Sequence, residues 1–104
     1  MSRERIPELK QLVESIPKGR VTSYGQIGRA LSNPVSGFLA GKWMDQCPDV
    51  PWCRVMRAKG DLSIGKMDLV LEAEQRMRLE SEGVVFDESS RVPQNFFYEI
   101  EAID

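Results

Sequence analysis

The sequence predicts a mainly α-helical domain with short β segments, built around a helix-turn-helix, and three observations carry that reading. Leu9, Leu12, Val13 and Ile16 recur at i, i+3, i+4 and i+7, the spacing of one buried helix face. Ser23 and Gln26 form a capping-box pair in front of a second helix. Asn33-Pro34 reads as the start of a third helix close behind it. With the short extended pieces that follow, the arrangement is winged-helix-like, and 104 residues suffice for one such domain.

The elements follow in order. The first helix is expected over residues 5–16, stopped by Pro17 and Gly19. Val21 and Thr22 make a short extended link. A second helix over residues 24–31 would bury Ile27, Ala30 and Leu31. A turn of about two residues leads to the third, with Asn33 as N-cap and Pro34 at its first position. Val35, Leu39 and Trp43 stack at i, i+4 and i+8 along it, and it ends near Asp45.

Residues 47–51 form a proline-bearing loop, and 52–56 a short strand or buried loop. Ala58 to Asp61 turn, and Leu62 to Ile64 extend again. Asp68 caps a last helix that reaches about Ser81, with Leu69, Val70, Ala73 and Met77 inward and Gly83 as its stop. Val84, Val85 and Phe86 suggest another short strand. Residues 87–104 read as an acidic tail with an aromatic cluster at Phe96, Phe97 and Tyr98.

Composition narrows the function. Apolar residues make up 41% and charged residues 29%, a globular balance that excludes disorder and collagen-like repeats. No apolar run approaches the ~18 residues of a membrane span, and residues 1–10 lack the apolar core of a secretory signal, so a cytoplasmic location is expected. Two cysteines cannot build a disulfide framework. The absence of histidine removes the commonest general base, the commonest metal ligand and every Ser-His or Cys-His couple. Cys47 and Cys53 alone are too few for a metal site, and neither metal nor cofactor is expected.

The net charge of -2 conceals an asymmetry. Residues 17–66 hold eight basic side chains against three acidic, net +5, whereas residues 67–104 hold three against ten, net -7. A basic middle is what a polyanion would meet, and it also describes an ordinary solvated surface.

Several segments in order then resemble one family: 16–27, reading IPKGRVTSYGQI; Asn33-Pro34 with Gly41 and Met44; 51–55, reading PWCRV; and 79–83, reading LESEG. The chain resembles, over about residues 5–86, the DNA-binding domain of the O6-alkylguanine-DNA alkyltransferases, and more closely their non-enzymatic relatives, the alkyltransferase-like proteins. In the enzymes the motif reads Pro-Cys-His-Arg-Val, and its cysteine takes the alkyl group irreversibly. Here Trp52 stands at the cysteine position and Cys53 at the histidine position. Tryptophan there is what alkyltransferase-like proteins often show. The resemblance therefore implies a protein, not an enzyme, that flips O6-alkylguanine out of DNA without transferring the alkyl group and flags it for nucleotide excision repair. It implies double-stranded DNA carrying the lesion as partner, with excision repair proteins beside it, a monomer, and a chromosome-associated location (nuclear in a eukaryote).

The chemistry of the residues agrees. An alkyl acceptor must be a thiolate, and a free thiol with a pKa near ~8.5 is little ionised at neutral pH unless a base or cation activates it. Indole is a poor nucleophile, yet it can line a pocket for an alkylated base. By resemblance, Trp52 floors that pocket and Tyr24 acts on the phosphate of the rotating nucleotide. At Phe38 the family usually has an arginine that fills the space left by the flipped base and pairs with its orphaned partner. Phenylalanine can only wedge and stack, unless it is simply core.

By resemblance Cys53 and Arg54 stand with Tyr24, Phe38 and Trp52 among the DNA- and lesion-binding residues, although Cys53 also reads as a buried structural thiol and Arg54 as a motif residue that can be structural. Arg29, Lys42, Arg57, Lys59 and Lys66 are generic candidates for phosphate contact, each also readable as a solvated charge. The family's Tyr-Ser-Gly pocket lid is replaced by Ile64-Gly65-Lys66-Met67. Two other readings remain open: an alkyltransferase using Cys53, and a protein-interaction module that has lost lesion binding. A transcription factor reading the major groove fits less well, because no dimerisation segment or base-reading set is evident.

Overall fold

The computed structural model describes residues 2–44, 46–47, 49–62 and 69–101, with side chains from residue 6 onward. Helix α1 (Ser2–Glu14) starts ahead of its predicted position and carries Pro7 within it. Its stripe behaves as the spacing requires: Leu9, Leu12, Val13 and Ile16 are all buried. Strand β1 (Thr22–Ser23) leads into α2 (Tyr24–Ala30). Ser23 Oγ accepts from the Gln26 backbone N–H at 3.1 Å, so the serine half of the predicted capping box forms, and Ile27 and Ala30 face inward. Helix α3 (Gly37–Met44), a 3-10 turn (Trp52–Arg54), strand β2 (Val55–Met56) and helix α4 (Leu69–Ser81) complete the main elements.

Helix α3 begins later than Asn33-Pro34 predicts, and the connection from α2 is correspondingly longer than two residues. The cause is tertiary. Val35 donates its N–H to the Gly28 carbonyl at 3.0 Å, which holds the segment before the helix across α2. The N-cap is then Ser36, whose hydroxyl accepts from Leu39 N–H at 3.2 Å. The two helices approach so closely that a Cβ on Gly28 would strike the Val35 carbonyl, and one on Gly37 would meet the Gly25 backbone. Of the Val35, Leu39, Trp43 stack only Trp43 is buried, together with Ala40 and Met44; Val35 precedes the helix and is half-buried, and Leu39 lies at the surface.

Helix α4 is rotated relative to expectation. Its buried residues are Gln75 and Leu79, while Leu69, Val70, Ala73 and Met77, expected inward, are exposed. Polar anchoring decides this: the Gln75 side-chain amide donates to the carbonyls of Cys53 (3.0 Å) and Val55 (3.1 Å), turning the opposite face outward. The expected Asp68 cap, the end of α3 at Asp45 and the extension into Ile64 lie outside the described residues. Gly83, at φ +99°, closes α4 as predicted. Gly83 N–H bonds to the Glu80 carbonyl and Val84 N–H to the Leu79 carbonyl, and Leu79 and Val84 share a core cluster. Residues 84–86 form no strand; Phe86 instead packs under the Arg76 guanidinium, 4.5 Å from ring centroid to Cζ.

Strands β1 and β2 pair in parallel, Thr22 opposite Val55 and Ser23 opposite Met56. The C-terminal segment joins the same ribbon. Val21 N–H donates to the Phe96 carbonyl at 3.0 Å, and Tyr98 N–H to the Val21 carbonyl at 2.6 Å. Arg20 donates to the carbonyls of Phe96 and Phe97. Residues read as an acidic tail are thus built into the fold, with Ile100 in the core of α1, α2 and α3 and Val92 in the second cluster around Val21, Met56 and Leu79. No helix among the described residues is long and apolar enough to cross a membrane.

Candidate nucleic-acid interface

The close α2–α3 contact fixes which side chains α3 offers to solvent. Phe38 is 76% exposed, which excludes the core alternative for this residue. Leu39 and Lys42 share the outer side, and the Lys42 ammonium lies 5.0 Å from the centroid of the Phe38 ring. Tyr24, at the first position of α2, is half-buried and packs against the main core cluster. It runs along α3, where a Cβ on Gly41 would sit 3.7 Å from Tyr24 Cδ1.

Trp52 opens the 3-10 turn and is half-buried, one part packed on the same core and its ring 6.0 Å from the Arg78 guanidinium. Its neighbour behaves oppositely. Cys53 is only 4% exposed, and burial first, then the nearby Glu82 charge, pushes its thiol above the ordinary range. The Cys47 thiol is buried and raised for the same leading reason, and both cysteines are free. A buried thiol held protonated, in a chain without histidine, is poorly suited to attack an alkyl carbon.

Arg54 is committed inside the protein. Its Nε and Nη2 make a fork to Glu82 Oε1 (3.0 Å) and Oε2 (2.8 Å), and Nη1 donates to the Ile16 carbonyl at 3.0 Å. Glu82 also accepts from Gly19 N–H at 3.2 Å. Both side chains are mostly buried, at 16% and 11% exposure. The Arg54 hydrogen bonds hold the Glu82 carboxyl below its usual range, and Glu82 raises Arg54 in turn. Three of the segments that carry the family resemblance, 16–27, 51–55 and 79–83, meet at this one pair. Arg54, expected among the DNA-facing residues, is thereby a clamp on the loops that present Trp52.

Of the other basic residues, Arg29 is exposed at the end of α2 and lines a cavity of about 230 Å³ with Gln26, Tyr98 and Glu99. Arg57 pairs with Asp61 at 3.5 Å, and Lys59 is exposed. Lys66 and the loop expected as pocket lid lie outside the described residues. Among the described residues no group of acidic or cysteine side chains could hold a metal ion. Sequence reading missed Gln75 and Glu82, the two polar residues of α4 and its end that grip the 52–55 segment. Glu82 lay within a quoted motif, but its partner is 28 positions away.

The fold and these placements define a helix-turn-helix domain of the DNA-binding type, with an aromatic and a lysine outward on its second helix. The chain belongs to the family of the 6-O-methylguanine DNA methyltransferase DNA-binding domain, whose model matches residues 8–84. It is similar to the DNA base-flipping protein of Vibrio parahaemolyticus, 31% identical over 84 residues covering 78% of this chain and 81% of that protein. It is similar also to the Escherichia coli DNA base-flipping protein, 32% identical over 79% of this chain and 64% of the longer relative. Alkyltransferase-like protein 1 of Schizosaccharomyces pombe is 38% identical over 72% of this chain and 71% of its own length. In three dimensions the chain resembles S. pombe Atl1 solved in complex with damaged DNA containing O6-carboxymethylguanine, with a TM-score of 0.81 and 29% identity over 92% of this chain and 95% of that one.

Proposed function

We propose that this protein binds DNA containing O6-alkylguanine, holds the alkylated nucleotide out of the helix, and transfers nothing. One observation carries the reading: within a single turn Trp52 is presented at the surface of the core while Cys53 is buried with its thiol pushed up. The indole offers a flipped base an apolar contact worth ~1–3 kcal/mol, and no accessible thiolate stands beside it. The helix-turn-helix brings α3 to the minor groove, and Tyr24, at the junction of α2 and α3, acts on the phosphate of the rotating nucleotide. The similarity to a relative solved on damaged DNA supports this.

A lesion that is bound and not repaired must be removed by another activity. A duplex held with one nucleotide extrahelical is a distortion that nucleotide excision repair can act on, so the protein serves as its flag, as a monomer on the chromosome in the cytoplasm or nucleus. Equilibrium titration of a duplex with one O6-methylguanine against its undamaged twin tests the binding. The lesion duplex is expected to bind more tightly, with affinity falling as salt rises. Equal affinity for the two refutes the reading. For the flagging role, reconstituted excision of the lesion duplex should accelerate when the protein is added, and no change would remove that part.

A further inference from the structure

The outer face of α3 has a consequence for which lesions are bound, given the reading above on which it rests. The side chain aimed outward from this helix is a phenyl ring, 76% exposed, with Leu39 beside it at 37%. Neither has a hydrogen-bond donor or acceptor. A flipped nucleotide leaves a gap in the stack and an orphaned base opposite. Phe38 can fill the gap by stacking, which every base accepts because each has a π-face, but it cannot read the edge of the orphan. We propose that Phe38 makes lesion recognition indifferent to the opposing base, so that O6-alkylguanine is bound equally well opposite cytosine and opposite thymine. The second pairing matters chemically, because O6-methylguanine templates thymine as well as cytosine.

Lys42 completes the device. Its ammonium covers one face of the ring in the free protein, 5.0 Å from the centroid. A base stacking on that face displaces it, and the long stem of lysine reaches a phosphate flanking the gap. The aromatic supplies insertion and the lysine a sequence-blind charge contact; neither discriminates between orphans.

The test is fluorescence anisotropy with the full chain and three duplexes carrying O6-methylguanine opposite cytosine, thymine or an abasic site, each beside its undamaged control. The cytosine and thymine duplexes are expected to agree within about threefold. Phe38→Ala should weaken all three by a similar factor, about tenfold. Phe38→Arg, which introduces donors able to read a base edge, should create a preference among opposing bases of about tenfold. Lys42→Ala should lower the slope of log affinity on log salt by about one without changing the order of the duplexes. A wild-type preference for cytosine beyond tenfold, or Phe38→Ala binding as well as wild type, overturns the proposal while lesion binding stands. If no lesion duplex exceeds its undamaged control, the function proposed above falls and takes this inference with it.

Discussion

The turn at residues 52–54 and the outer face of α3 both present an aromatic next to a cation, yet the two regions are built in opposite ways. In the turn, Cys53 is buried, Arg54 is held by three hydrogen bonds to Glu82 and Ile16, and Trp52 is half-buried against the core. On α3 the backbone is locked by the glycine contacts with α2, while Phe38 and Lys42 are exposed, the Lys42 ammonium lying over the Phe38 ring. Cys53 and Arg54, which look chemical by resemblance, are held inside the fold, whereas Phe38, which departs most from the family pattern, is 76% exposed. Substitutions in the first region should therefore be read out in folding, and those in the second in binding.

The largest effect should come from Arg54→Ala. It leaves the Glu82 carboxylate buried without its partner, a loss of ~3–5 kcal/mol that would bring a domain of this size close to unfolding. Urea denaturation measures it; a loss below ~1 kcal/mol would show that the pair is not a clamp. The same pair sets a pH dependence. Glu82 is depressed in the folded state, so its contribution is present above its unfolded value near 4.5 and is lost as pH falls below that value through the lower folded one. The melting temperatures of wild type and Glu82→Gln should converge over that acid range and stay apart at neutral pH.

Next in size is Gln75→Leu, which leaves the buried carbonyls of Cys53 and Val55 without their donor and should cost ~1–3 kcal/mol by denaturation. Trp52→Ala crosses the boundary between the regions: it should keep the fold while reducing the preference for lesion over undamaged DNA by about tenfold in paired titrations. At the small end, Phe38→Ala should change stability by less than ~0.5 kcal/mol, because its ring is already in water. A larger loss would mean that the two regions are not separable as described.

What was legible in the sequence follows the same division. The α1 stripe and the Ser23 cap are local signals, and they fold as written. Asn33-Pro34 is an equally good local signal, but the Val35 to Gly28 hydrogen bond overrides it and passes the cap to Ser36. The rotation of α4 was misread because counting apolar residues assigns them inward, whereas Gln75, a polar side chain, anchors the helix. The acidic tail likewise gave no period that would reveal its pairing along Val21. At the candidate site, Trp52, Tyr24 and Phe38 are singled out by family pattern alone, and Arg54 is legible as a residue that can be structural, but its partner Glu82 is not, because 28 residues between them leave no spacing to read.

The central claim is recognition without transfer, and the intact mass of the protein recovered from its complex with an O6-methylguanine duplex tests it most directly. The account predicts a protein of unchanged mass, with the methylated base still in the DNA. A gain of one methyl group on Cys53, with loss of the lesion, would contradict it.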